Sequence, residues 1–357
     1  MEARSHISGT WDHRFNRTII YKALSLTAIV VFLLASWALA ANHKAKQPRP
    51  IKLGVSGSNI EGGNYAGTLG SLVKKIGKRR KFILSNNHVL ALENDGQKDD
   101  LIIQPGWLDG GREGDEVAIL KKFIPIDFSL SGSNQVDAAI AKIIRGKVNK
   151  KGKILDIGRV SSVPLDPQIG MAVKKAGRTT AVTFGTIDAI DVTVLVQYSK
   201  GLAWFVNQFA IIPGQFSAPG DSGSLIVSDE ETCPNPVGLL FAGSSASTIA
   251  NPIKKVLKKL KVEMVGCAAS QQVEAESEDE VVQRNEVIAQ AIEVKALYEE
   301  QLLNAPGVVG VGIGLEDGEV VIKVFLEEMT PELKRVLPNT LEGFTVVPEV
   351  TGKFIAY

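Results

Sequence analysis

Pro219-Gly220-Asp221-Ser222-Gly223-Ser224-Leu225-Ile226-Val227 is the stretch on which the reading of this chain turns. Glycines stand close on both sides of a serine, and an apolar strand-like run follows. Such spacing suits a tight turn that exposes the hydroxyl and aims backbone N–H groups at one point. An acyl-transfer nucleophile needs that geometry; the plain alternative is a β-turn with no chemistry. A serine nucleophile at neutral pH usually needs an imidazole base. There are four histidines, and His6, His13 and His43 fall within the first 43 residues. His88 is the remaining one, in Asn86-Asn87-His88-Val89-Leu90 at the end of the apolar run Phe82-Ile83-Leu84-Ser85. Alone it reads as a satisfied core or turn histidine; beside the serine turn it reads as a base.

Order along the chain narrows the choice. No histidine follows Ser222, which excludes the Ser, acid, His order of α/β-hydrolases. No Asp lies between Ala41 and His88, which excludes the Asp, His, Ser order of subtilisin-like enzymes. His, acid, Ser remains. Asp137, in Val136-Asp137-Ala138-Ala139-Ile140, begins a buried-looking strand and is the best candidate; Asp127, in Ile126-Asp127-Phe128, is the runner-up.

Short apolar runs separated by Gly, Asp, Asn and Pro recur from Ala66 to about Leu240, as in a β-sandwich or barrel. With His88 in Ser-Asn-Asn-His, Asp137 in Val-Asp-Ala-Ala-Ile-Ala, Ser222 in Gly-Asp-Ser-Gly and intervals of 49 and 85 residues, the chain resembles the trypsin/chymotrypsin-like serine peptidases. Gly177-Arg178-Thr179-Thr180 resembles a second-barrel hairpin of the bacterial members, which usually carry Gly where this chain has Ala181. Ser-Asn-Asn-His-Val-Leu-Ala, Gln-Pro-Gly and Leu-Leu-Phe-Ala-Gly-Ser look closest to the plant narrow-leaf-type proteins and their bacterial relatives.

The resemblance covers about residues 55–262 and implies a mainly β protein. It implies two packed antiparallel six-stranded barrels with a C-terminal helix, here followed by a small α+β domain. It casts Ser222 as nucleophile, His88 as general base and then acid, and Asp137 as the group that orients the imidazole. The Gly220 and Ser222 N–H groups form the oxyanion hole, and Phe216, Phe241, Ala242 and Gly243 line the substrate cleft. Phe216 stands where a trypsin has Asp, and no acid occurs from Val192 to Gly220, so small or apolar side chains are expected in the primary pocket. Secreted trypsins activate when a new N-terminus pairs with the Asp beside the nucleophile. Asp221 is present, but no activation site precedes Leu53-Gly54-Val55. The implied activity is a serine endopeptidase acting on protein or peptide; the alternative is an inactive protease-fold binding or scaffold protein. Neither calls for a cofactor or a metal.

The rest of the chain supplies context. At 357 residues, 45% hydrophobic and 22% charged, it is neither wholly disordered nor a multi-span membrane protein. A net charge of +1 gives no sign of nucleic-acid binding. Basic residues precede the apolar run Ala23–Ala35, and Ala38-Leu39-Ala40 matches a cleavage pattern. Residues 1–40 are therefore expected to be a signal peptide, with an uncleaved anchor at about 18–41 as the alternative, and the remainder to be exported to the periplasm or beyond. Export permits a disulfide, for which Cys233 and Cys267 are the candidates; two free thiols are the alternative. Residues 41–57, with Pro48 and Pro50, read as a linker, 58–266 as the peptidase domain, and 267–280 as an acidic linker. Residues 281–357 read as a separate α-β-β-α-β unit. Gly307, Gly310, Gly312 and Gly314 partly mimic a dinucleotide fingerprint, but they run on through Asp317-Gly318 into a hairpin, so close strand packing is the better reading. Residues 41–267 carry a net +10 and residues 268–357 a net −11. That split suggests that residues 281–357 lie against the peptidase domain and restrict or shape its cleft, with the acidic linker Glu274 to Glu280 along basic residues such as Lys254, Lys255, Lys258 and Lys259; the alternative is a tail that only solubilises the basic body or reaches to another protein.

Overall fold

A computed structural model describes residues 42–129, 131–268 and 278–357. The expected leader or anchor lies outside these residues, as does most of the acidic stretch at 267–280.

The first barrel is built from β1 (Val55–Asn59), β2 (Gly67–Leu69), β3 (Ser71–Lys75), β4 (Lys81–Ser85), β5 (Leu101–Ile103), β6 (Glu116–Phe123) and β7 (Ala139–Ile143). β2 and β3 are two halves of one strand bent at Gly70. The first half pairs with β1 and the second with β4. The order then runs through β7, β6 and β5 back to β1, all antiparallel, so six strands close into a ring. Its side chains (Leu72, Phe82, Leu84, Ile102, Leu120, Ile140) are buried together. A one-turn helix α1 (Asn87–Leu90) caps β4.

Residues 41–57 are not the expected linker. His43 is buried and its Nδ1 lies 2.6 Å from the Gly54 carbonyl. Ile51 and Leu53 are fully buried and bridge to Val148 and Ile154. The apolar alternation Ile51, Leu53, Val55 is a strand signal of period two, which the neighbouring prolines obscured.

The second barrel holds β8 (Ala172–Gly177), β9 (Ala181–Tyr198), β10 (Gly201–Ile212), β11 (Leu225–Ser228), β12 (Pro236–Gly243) and β13 (Thr248–Pro252). Pairings β8-β9-β10-β13-β12-β11 return to β8, a second closed ring of six. Helix α2 (Ile253–Leu260) follows, burying Ile253, Val256, Leu257 and Leu260. β14 (Val262–Met264) then adds to β3 in the first barrel. Cys267 is disulfide-bonded to Cys233, with Cα atoms 6.3 Å apart.

The tail comprises α3 (Glu278–Leu303), β15 (Val308–Glu316), β16 (Glu319–Leu326), α4 (Leu333–Val336), β17 (Thr340–Leu341), β18 (Phe344–Val350) and β19 (Phe354–Ala356). It is not a separate unit. β15 pairs with β9 (Gly310↔Val194, Gly314↔Ala189), so its hairpin continues the sheet of the second barrel. A side chain at Gly310 would meet the Thr193 carbonyl at 2.7 Å, which is the close strand packing expected of these glycines. The ion pairs across this contact oppose the charge split. Lys295 and Lys323 of the tail are buried against Asp191 and Asp188 of β9, whereas Lys254 pairs with Asp166. Backbone pairing along a strand edge leaves no trace in net charge.

Candidate active site

β4 and β7 are neighbours in register (Ser85↔Ala139), so the turn after β4 and the residue before β7 meet at one end of the first barrel. His88 and Asp137 occupy those places. His88 Nδ1 donates to Asp137 Oδ2 at 2.5 Å. Asp137 is fully buried. Its Oδ1 accepts from the amides of Asn87 (2.6 Å) and His88 (3.3 Å), and its Oδ2 also accepts from the Tyr198 hydroxyl (2.9 Å). The Asp137 main chain is held in turn, its amide donating to Asn251 Oδ1 and its carbonyl accepting from Asn86 Nδ2. Asp127, the runner-up, is exposed and bonds within its own loop to the Ser129 amide.

Burial disfavours a charged His88, but the Asp137 carboxylate and its hydrogen bond outweigh this, and the imidazole titrates above the usual histidine value. Burial, with the neighbouring carboxylate, raises Tyr198 well above the ordinary phenol value, so it stays a donor. Tyr198 also meets the imidazole edge-on, ring centroids 5.8 Å apart. Nothing local marked it in the sequence, because it closes a long alternating strand.

Ser222 is presented by the turn before β11. Gly220 takes φ +99°, where a side chain would strike the Arg178 guanidinium at 2.4 Å; Gly223 takes φ +92° against the Thr68 carbonyl. Both glycines are thus required by conformation and by space. The Gly220 and Ser222 amides donate to no acceptor among the described residues, leaving two N–H groups beside the serine.

Asp221, also fully buried, locks the turn. It accepts from the amides of Thr179 (2.8 Å), Thr180 (3.2 Å) and Ala218 (3.0 Å), and from the Thr180 hydroxyl (2.7 Å). Lys175 Nζ lies 3.3 Å from its Oδ2, both side chains wholly inaccessible. Burial pulls the Lys175 ammonium below its ordinary value and Asp221 pulls it back up. Lys175 is thus the cation that faces Asp221 inside the second barrel. Arg178 of the same hairpin forks onto Asp109 of the first barrel through Nε (2.6 Å) and Nη2 (2.8 Å), tying the barrels beside the turn.

Of the residues expected to line the cleft, Phe241, Ala242 and Gly243 are consecutive on β12. The Phe241 carbonyl accepts from Ser222 Oγ (3.0 Å), and Ala242 and Gly243 pair with β19. Phe216 is buried in the apolar cluster behind them. Ser222 Oγ is thus turned to Phe241 rather than to the imidazole. His88 Nε2 instead lies 3.0 Å from the main-chain oxygen of Tyr357. The sequence reading did not foresee Tyr357 in this place.

Two closed six-stranded barrels, with these residues at their junction, define the chymotrypsin-like fold. A family described as Nal1 C-terminal domain matches residues 122–261, a span that includes Asp137 and Ser222 but not His88. The protein NARROW LEAF 1 of Oryza sativa subsp. japonica is 28% identical over 222 residues, which is 53% of this chain and 36% of that protein. The match thus spans about a third of the rice protein's length. Among solved structures, a glutamic acid-specific serine protease is 20% identical, covering 60% of this chain and 100% of its own, with a TM-score of 0.42. The Cellulomonas bogoriensis chymotrypsin is 18% identical over 61% of this chain and 99% of its own, with a TM-score of 0.41.

Proposed function

We propose that the protein is a serine endopeptidase acting on protein or peptide through His88, Asp137 and Ser222. The observation that carries this reading is the buried Asp137 carboxylate bonded to His88 Nδ1, which leaves Nε2 as the position for proton transfer. Ser222 Oγ attacks the carbonyl carbon of the scissile bond, and its proton passes to His88 Nε2. The oxyanion forms against the Gly220 and Ser222 amides, each such donor being worth about 2.7–4 kcal/mol in measured cases. The C–N bond breaks, and the leaving amine takes the proton from His88. Water then repeats the sequence on the acyl-enzyme, regenerating Ser222 and releasing the acid.

A second reading, an inactive protease-fold scaffold, is favoured by one feature: Ser222 is wholly buried and bonds to a carbonyl instead of the imidazole. Amide hydrolysis by purified protein separates the two. Activity that falls by roughly 10³ or more in Ser222→Ala and in His88→Ala supports the peptidase. Activity unchanged by either substitution contradicts it. We further propose export, on the basic and apolar pattern of residues 1–40. Recovery of the protein wholly in the cytosolic fraction, at full length, contradicts that.

A further inference from the structure

β19 lies between β12 and β9. It runs antiparallel to the first (Ala242↔Ala356, Gly243↔Ile355) and parallel to the second (Phe354↔Val196, Ile355↔Gln197). The Tyr357 amide donates to the Phe241 carbonyl at 3.2 Å, the carbonyl that also takes the Ser222 hydroxyl. The Tyr357 main-chain oxygen faces His88 Nε2. The Tyr357 ring packs on the apolar cluster that contains Phe216, and its hydroxyl donates to the Ser244 carbonyl at 3.3 Å. Gly243 leaves the room: a side chain there would meet that ring at 2.6–2.8 Å.

We propose that Phe354–Tyr357 is a built-in occupant of the peptide-binding cleft, seated as the acyl side of a substrate is seated, and that the pocket holding Tyr357 selects aromatic side chains. This rests on the peptidase reading of the same site. The pocket presents rings, a glycine and neutral oxygens to the tyrosine; the charges behind it, Asp221 and Lys175, already pair with each other, so an entering Lys or Arg would find no free partner. The strand is anchored by Phe354, which is buried edge-on to Phe325 with centroids 6.0 Å apart. Its tether keeps the segment at an effective concentration in the millimolar range.

Occupancy also disables the chemistry. Both His88 nitrogens face acceptors, a carboxylate and a carbonyl, an arrangement satisfied only when both carry protons. A doubly protonated imidazole cannot take the Ser222 proton. Beside Ala356 a cavity of about 350 Å³, lined by Tyr65, His88, Glu93, Gln197 and Tyr198, remains open. A substrate residue larger than alanine fits at that step, so an outside peptide can outbind the chain's own strand.

The test uses the full chain and two variants, one lacking Ala356 and Tyr357 and one carrying Tyr357→Ala. Both keep the buried Phe354, and circular dichroism checks their fold. With Ser222→Ala added, a fluorescein-labelled peptide ending Phe-Ile-Ala-Tyr is titrated by anisotropy. It is expected to bind the shortened chain with a Kd below about 1 mM, and the full chain about tenfold or more weakly. A peptide ending in Arg is expected to lose about tenfold or more. Equal binding to full and shortened chains, or equal binding of the two peptides, overturns the inference. With Ser222 intact, both variants are expected to cleave peptide anilides at least about tenfold faster than the full chain, preferring Tyr and Phe before the cut. Measurable cleavage that is no faster than the full chain's, or that prefers Arg, overturns the inference and leaves the peptidase reading standing. Peptide binding with no cleavage supports the occupancy and contradicts the peptidase.

Discussion

The two halves of the site are in different states. On the first barrel, His88 and Asp137 are fully assembled, both Asp137 carboxylate oxygens bonded to groups from α1 and β9. On the second barrel, the turn that carries Ser222 is equally rigid, yet the hydroxyl points to Phe241 and its path to the imidazole is taken by Tyr357. Burial and hydrogen bonding build each half, and Tyr198 and Asn251 of the second barrel also hold Asp137. Only the occupant of the cleft decides whether the halves communicate, because it sits on Nε2 and on the Phe241 carbonyl at once.

The largest effect should come from breaking the assembled half. Asp137→Asn keeps the shape but offers the wrong partner to Nδ1, and kcat measured on the shortened chain should fall by roughly 10³–10⁴. Asp127→Asn should leave it near normal, since Asp127 is exposed and bonds only within its loop. If Asp127→Asn carries the loss and Asp137→Asn does not, the acid is misassigned.

The serine half should answer through stability. Lys175→Met leaves the buried Asp221 without its cation, a change that costs about 3–5 kcal/mol in comparable buried pairs. Urea denaturation measures it. Adding Asp221→Asn should recover part of the loss, because no unpaired charge then remains. A single variant as stable as the parent would mean that the three amides and the Thr180 hydroxyl hold Asp221 unaided.

Tyr198→Phe probes the link between the halves and a residue the sequence did not flag. It removes one hydrogen bond to a charged acceptor, so kcat should fall about tenfold with KM little changed. The pH profile sharpens the same point. Burial lowers the His88 value, whereas Asp137, the Tyr357 carbonyl and Glu93 raise it; the net is above 6.5. The base works only when neutral, so the rate should rise with pH through a midpoint above 6.5. Removing Tyr357 takes away one raising contact but also bares the imidazole, easing the burial that lowers its value, so the two changes oppose each other. Tyr198 stays neutral across this range and adds no step of its own. A rate that stays flat or falls with pH through this range would contradict a neutral imidazole as the base.

The smallest effect belongs to Ala181, which holds φ +53°. Left-handed backbone costs a residue with a Cβ about 1 kcal/mol, so Ala181→Gly should raise the thermal midpoint slightly and leave the site unchanged.

What was legible in the sequence was short-range and chemical. A serine between glycines, one histidine in the body of the chain and an acid at the head of an apolar strand announce themselves by residue type and order. The two barrels were legible because their strands are brief and punctuated. The first-barrel role of Ile51 and Leu53 was hidden by two prolines. The tail's place was hidden more deeply. β15 and β19 join β9 and β12 through backbone groups that every residue carries, and no composition or charge count reports them. Tyr198 and Lys175 act by meeting Asp137 and Asp221 across 61 and 46 residues, the first contact made where the two barrels meet and the second by closing the second barrel.

One measurement bears most directly on whether these halves make a working nucleophile. The chain lacking Ala356 and Tyr357 is treated with a fluorophosphonate, and the adduct is mapped by mass spectrometry. Ser222 should carry the phosphonyl group with loss of fluoride, faster than in the full chain, and His88→Ala should abolish it. A folded, shortened chain left unlabelled at Ser222, or labelled equally well without His88, would contradict the account.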